Sequence, residues 1–210
     1  IMLTDEMVEG AELYYNDVMT TLPDFPGFSL HIEEPVSIDV IHPQCWGTPD
    51  AWIFRPKRLV IWDYKFGHRY VDVFENWQLL EYAAGILVKV GINGVSDQFT
   101  EVEFRIVQPR CYVGGAPVRS WKVLASDLRG YFNHLREREA FAMHDDAPTT
   151  VGEHCRDCRA RHACPSAQRA AYNAMEIAGS NVPFDLPPEA LGAELRFIDR
   201  AIAALEHRRT

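Results

Sequence analysis

No stretch of this 210-residue sequence approaches the roughly eighteen consecutive apolar residues that a membrane-spanning helix needs, and no basic-then-apolar leader opens it. A soluble, cytoplasmic protein with no membrane partner is the expectation. Positive charge is also short: 21 lysines and arginines stand against 30 aspartates and glutamates, for a formal net charge of -9. That balance excludes a protein that coats nucleic acid through bulk electrostatics. It leaves room for clustered carboxylates that hold divalent metal, with basic contacts confined to a local surface. One basic run, Arg156, Arg159, Arg161, His162 and Arg169, surrounds the cysteines, and a solvated helix face explains it equally well. Cysteine is scarce and odd in number: Cys45, Cys111, Cys155, Cys158 and Cys164. This is poor arithmetic for disulfides and good arithmetic for metal ligation. Neither an internal repeat nor a low-complexity tract occurs. The chain opens on Ile1, which reads either as the inside of a longer protein or as one residue ahead of a start at Met2.

What is present is ordinary globular composition, 47% hydrophobic and 24% charged, enough for one sizeable core. A helix is expected from Thr4 to Thr20, with Thr4 as N-cap and Met7, Ala11, Tyr14, Tyr15 and Val18 as its apolar stripe. Pro23 and Pro26 break it. Strands are expected at Phe28 to Val36, Ala51 to Phe54 and Leu59 to Tyr64, the last two joined by a hairpin turn around Pro56. Helical spacing runs from Val73 to Val90 and stops at Gly91 to Gly94. A strand from Glu101 to Gln108, a turn at Gly114 to Pro117 and a short strand from Trp121 to Leu124 come next. A helix capped by Ser126 runs to about His144. After a loop and the cysteines, a linker leads to a helix from Pro188 to about Arg208. There Leu191, Leu195, Ile198, Ile202 and Leu205 form a seam suited to packing on the body or to an antiparallel helix pair. The order implies an α/β, or mixed α+β, core with a helical tail. The expected divisions are an N-terminal helix to residue 27, a core from 28 to 125, a helix and cysteine region to 180, and a linker with the C-terminal helix to 210.

The most informative stretch joins Gly47-Thr48-Pro49-Asp50 to Asp63-Tyr64-Lys65 through the hairpin. Two antiparallel strands with a tight turn bring the start of one beside the end of the other, so Asp50, Asp63 and Lys65 converge at one sheet end. Asp63 and Lys65, two apart, share a face. Paired carboxylates repel unless a cation lies between them, and hard divalent ions such as Mg²⁺ or Mn²⁺ take oxygen ligands of this kind. The backbone carbonyl of Tyr64 is a further candidate ligand. Asp-x-Lys alone is common as a surface ion pair; here the apolar run Leu59 to Trp62 places Asp63 at the edge of a core, where a carboxylate needs a partner.

These blocks, followed by Glu75-Asn76-x-Gln78-Leu79-x-x-Tyr82, resemble the successive motifs of RecB-type nucleases of the PD-(D/E)XK superfamily. They are most similar to phage exonucleases related to the CRISPR adaptation nucleases. The resemblance runs from about Phe28 to Cys164. It implies a restriction-endonuclease-like central sheet flanked by helices, and a metal-dependent DNA exonuclease serving recombination or end processing in a phage or mobile element. An endonuclease on the same fold and a catalytically idle DNA-binding module are the alternatives. In site terms the resemblance implies Asp50 and Asp63 as metal ligands, Lys65 as the catalytic lysine, and Gln78 and Tyr82 as members of the site. The i, i+4 spacing of the last two agrees with a shared helix face. Relatives often carry an acidic residue on the first strand, which points to Glu33, with Glu34 an equal candidate. They also place a histidine ligand on a preceding helix. No histidine lies between Ile1 and Leu30, and His31, His42 and His68 are weak substitutes.

Cys155, Cys158 and Cys164 fall within ten residues, close enough for a loop and a first helical turn to present thiolates to one centre. Chemistry alone suggests Zn²⁺. The spacing resembles the cysteine triad of iron-sulfur RecB-type nucleases, which implies a 4Fe-4S cluster whose fourth ligand comes from far upstream. That ligand is expected before Ile1, together with the missing histidine. DNA is the expected partner, with a recombination protein or a second copy as further candidates. The five tryptophans, Trp46, Trp52, Trp62, Trp77 and Trp121, are expected in the core or as site walls.

Overall fold

Alternation along two neighbouring strands sets the architecture. Strand β4 (Ala51–Arg55) and strand β5 (Arg58–Tyr64) form the expected hairpin, with Lys57 turning at φ +74. The computed structural model describes residues 2–209 except 93, 113–114, 156–157 and 179–186. On β5, Leu59 and Ile61 face one core, with Val102, Phe104 and Ile106, while Val60 and Trp62 face another, with Ile53 and Val107. A strand covered on both faces needs no polar alternation, which is why its apolar run is continuous.

The central sheet has five strands in the order β1 (Leu30–Ile32), β4, β5, β6 (Glu101–Val107) and β7 (Val118–Leu124). Only β5 and β6 pair in parallel, with Asp63 opposite Ile106. The crossover between them carries helix α2 (Trp77–Lys89), whose Leu79, Leu80, Ala83 and Ile86 close the first core. Helix α3 (Arg129–Ala142) adds Phe132 and Leu135 to it. Helix α1 (Asp5–Thr21) supplies Val18 to the second core. The molecule is thus mixed α+β, a five-stranded sheet flanked by helices.

The α1 face is also ionic. Asp17 accepts from Trp62 Nε1 at 2.8 Å and from Arg105 Nη1 at 2.9 Å. Arg105 and Arg58 both clasp Glu103, which is fully buried, and Arg58 also reaches Asp24 at 2.8 Å. This network corrects the expected stripe of α1. Thr4 does cap the helix, but Ala11 and Tyr15 are exposed and the inward face runs through Gly10, Tyr14, Asp17, Val18 and Thr21. An acidic residue turned inward is invisible to an apolar periodicity.

Other boundaries shift for local reasons. The strand expected from Phe28 to Val36 is cut at Glu33, where φ is +49, and Val36–Ser37 (β2) pairs instead with Trp46–Gly47 (β3) in a separate two-stranded sheet. Helix α2 begins at Trp77 instead of Val73, because Glu75 takes φ +51 and Asn76 caps by accepting from Leu79 N. Ser126 is not a cap: its hydroxyl donates to Asp127, and a turn carries buried Leu128 into the core before α3 starts. Strand β7 starts at Val118, ahead of the expected Trp121. The turn expected from Gly114 begins outside the described residues.

The chain divides into two compact units, residues 1–143 and residues 144–210, where the sequence suggested steps after 27, 125 and 180. The second unit contains α4 (Pro165–Ala178) and α5 (Pro188–Arg209), which pack on each other. Leu191, Leu195, Ile198, Ile202 and Leu205 are exposed on α5. The linker expected after Ser180 lies almost wholly outside the described residues, as does Arg156 of the basic run. Among the described residues, no helix is long and apolar enough to cross a membrane.

Candidate functional site

The hairpin register decides the site. Ala51 pairs with Trp62, so the position before β4 brings Asp50 beside Asp63 at the end of β5. Asp50 Oδ2 accepts from the backbone N–H of Tyr64 at 2.5 Å. Alternation turns Asp63 toward the α2 face and Lys65 with it. Lys65 Nζ donates to Asp63 Oδ1 at 2.9 Å and to Gln78 Oε1 at 2.9 Å, and Gln78 Nε2 donates to the Tyr82 hydroxyl at 2.9 Å. Four of the expected residues therefore form one hydrogen-bonded chain, Asp63, Lys65, Gln78 and Tyr82, with Asp50 adjoining. Gly47 is part of the same construction: a Cβ there would meet the Tyr82 ring at 2.5 Å, so the ring rests on glycine backbone.

Asp63 is only 3% exposed. Burial pushes its carboxyl above the usual aspartate range; the Lys65 contact opposes this and the Asp50 charge adds to it. Nζ of Lys65 is also 2.9 Å from Oδ2, but hydrogen-bond geometry is met only at Oδ1, so Oδ2 is buried without a hydrogen bond. An orphaned carboxylate oxygen facing a second carboxylate is the donor set that a hard divalent cation takes, and one or two carboxylates suffice for Mg²⁺. The residues fit such an ion.

Glu33 lies at the rim: its N–H donates to the carbonyl of Asp50 at 3.1 Å, and its side chain is exposed. Glu34 is engaged elsewhere, with His31 and Lys89. None of the substitute histidines joins the pair. His31 stacks on Trp52 at 3.7 Å, His42 accepts from Gln44 N, and His68 contacts Arg110. Trp52 and Trp62 are buried and Trp121 sits in a ring stack with Phe104, whereas Trp46 and Trp77 are 71% and 46% exposed.

Sequence reasoning missed the support beneath Lys65. Gln108, fully buried, donates to the carbonyls of Gly67 and Arg69 and accepts from Val71 N and Arg119. It sews the segment after Lys65 to the end of β6. The available signal was an amide closing an otherwise apolar strand.

The cysteine segment belongs to the second unit. Cys155 Sγ donates toward the Thr150 carbonyl at 3.9 Å. Backbone donors from Ala167 and Ser166 and the Thr149 hydroxyl lower the pKa of the Cys164 thiol. Among the described residues, no three His, Cys, Asp or Glu side chains are gathered closely enough to hold a metal ion, so these thiols are not drawn to a common centre. In the first unit, burial followed by the charges of Glu139 and Glu81 pushes the Cys45 thiol up to about 11, and Cys111 is buried.

No curated protein matches the chain. A family model does, over residues 1–204, and its description is a protein of unknown function, DUF2800; the chain belongs to that family.

Proposed function

We propose that this protein is a divalent-metal-dependent DNA nuclease of the RecB-type PD-(D/E)XK class, acting as an exonuclease in recombination or end processing of a phage or mobile element. The observation that carries the reading is the meeting of Asp50, Asp63, Lys65, Gln78 and Tyr82 at one sheet end. The fold supports it: a helix, three strands each antiparallel to the next, a crossover helix and a parallel strand are the arrangement implied by a restriction-endonuclease-like core.

Asp50 and Asp63, with the Tyr64 carbonyl, would hold Mg²⁺ or Mn²⁺. When bound, that ion supplies Lewis acidity and a more acidic water. Lys65 brings a cation to the charge that develops on the scissile phosphate. Gln78 orients the ammonium by accepting from it, and Tyr82 fixes the amide from the other side. Exposed Arg69, on the segment held by Gln108, gives a local basic edge for a phosphate backbone.

Incubation with linear and circular DNA, in Mg²⁺, Mn²⁺ or EDTA, tests the proposal. Metal-dependent loss of linear DNA from its ends is expected. Nicking of circles would favour the endonuclease alternative. Binding without any cleavage would leave an idle DNA-binding module. Gln78→Ala is expected to lower kcat about tenfold while the melting temperature changes little, because an exposed amide adds little to the fold. Wild-type turnover in that variant would return Gln78 to the helix surface.

A 4Fe-4S cluster on Cys155, Cys158 and Cys164 is proposed on their number and spacing, with zinc as the rival; the sulfurs must draw together to accept either. Anaerobically purified protein should be brown, with broad absorbance at roughly 400 nm from thiolate-to-iron charge transfer. Cys158→Ser should lose both the colour and several degrees of melting temperature, since metal ligation couples to folding. Stoichiometric zinc without iron in elemental analysis would overturn the cluster.

A further inference from the structure

Helix α1 sends one polar group toward the carboxylates that the reading above does not use. Tyr14 packs against the core that contains Val18, Ala51 and Trp62, and its ring lies 5.3 Å from that of Tyr64, the residue between Asp63 and Lys65. The Tyr14 hydroxyl is buried and has no hydrogen-bond partner. The other polar atom of this site in that condition is Asp63 Oδ2. These are two buried, unsatisfied groups, a donor on α1 and an acceptor at the end of β5, and each lacks the partner that a bound, hydrated ion would supply. Burial, and then the charges of Asp50, Asp63 and Glu33, hold the phenol proton on well above the ordinary tyrosine range. A neutral donor therefore faces an acidic cluster from the α1 side, while Lys65 and Gln78 close the α2 side.

We propose that Tyr14 is a positioning residue of this site, its hydroxyl donating to a water of the hydrated divalent cation held by Asp50 and Asp63. The proposal rests on the metal-dependent reading of those carboxylates. It assigns α1 a part in the site that goes beyond covering the sheet. A phenol so placed would fix the orientation of the bound water without itself touching the phosphate, in the way outer-sphere partners tune metal sites.

Titration calorimetry with Mn²⁺ on the full chain, comparing wild type, Tyr14→Phe and Asp63→Asn, tests this. Tyr14→Phe keeps the ring and removes only an unpartnered hydroxyl, so its melting temperature should match wild type. Its Mn²⁺ affinity should fall about tenfold, a typical loss for an outer-sphere partner. Its kcat on DNA should drop with KM unchanged. Asp63→Asn should show no heat of binding. Wild-type affinity in Tyr14→Phe, with binding lost in Asp63→Asn, would overturn the role of Tyr14 and leave the metal reading intact. Lost affinity accompanied by a large fall in melting temperature would make Tyr14 a packing residue and overturn it as well. Absence of Mn²⁺ binding in wild type would remove the metal reading and this proposal together.

Discussion

Alanine at Asp63 or at Lys65 is expected to lower DNA cleavage roughly a thousandfold or more, because each removes a charge that acts on the transition state and neither belongs to the apolar core. The two should part company in stability. Asp63 is a buried carboxylate whose pKa is raised, foremost by burial. Stability linked to its protonated form is fully present below about pH 4, its unfolded range, and is lost as pH rises through the raised value. Asp63→Asn should therefore melt above wild type at neutral pH, with the gap closing toward about pH 4. Lys65→Ala should melt below wild type at neutral pH, since it leaves Asp63 uncompensated. Rapid cleavage by either alanine variant would sink the assignment, and a pH-independent gap for Asp63→Asn would sink the account of its burial.

The second large effect lies on the other face of the sheet. Glu103→Ala should cost about 3–5 kcal/mol, the loss expected when one member of a buried ion network is removed. Arg58 and Arg105 would keep Asp24 and Asp17 but lose the carboxylate that joins them. Burial works against the charge of Glu103, yet Arg58, Arg105 and Lys122 together hold its carboxyl below the usual range. Its stabilisation is thus present above the unfolded glutamate range and disappears as pH falls through the lowered folded value. Urea unfolding at neutral and acid pH measures both; a neutral-pH loss below about 1 kcal/mol would show the network to be ornamental.

Local signals carried far. The hairpin around Pro56, the buried apolar run from Leu59 to Trp62 on β5 and the glycine stop after α2 each rest on a few adjacent residues, and the structure keeps them. Asp50, Asp63 and Lys65 were legible because one turn connects them, and Gln78 with Tyr82 because the motif resemblance implied them and helical spacing agreed with a shared face. Illegible were features made by distant residues. Asp17 faces inward for Trp62 and Arg105, Gln108 serves a segment some forty positions earlier, and Tyr14 meets Tyr64 across the helix-sheet interface. Positive φ at Glu33 and Glu75 likewise has no sequence signal, since neither residue type favours it.

The strict two-residue alternation of β5 has an evolutionary corollary. Deleting or inserting a single residue between Leu59 and Asp63 would swap the faces of everything beyond it, sending Trp62 toward α2 and Asp63 toward α1. Length variation among descendants of this chain is therefore admissible at the Pro56–Lys57 turn or in the segment between β5 and α2, but inside β5 only in steps of two. A lineage that lost one residue there would be expected to lose the acid and the fold together, so the spacing from Leu59 to Lys65 should drift more slowly than the identity of the residues that fill it.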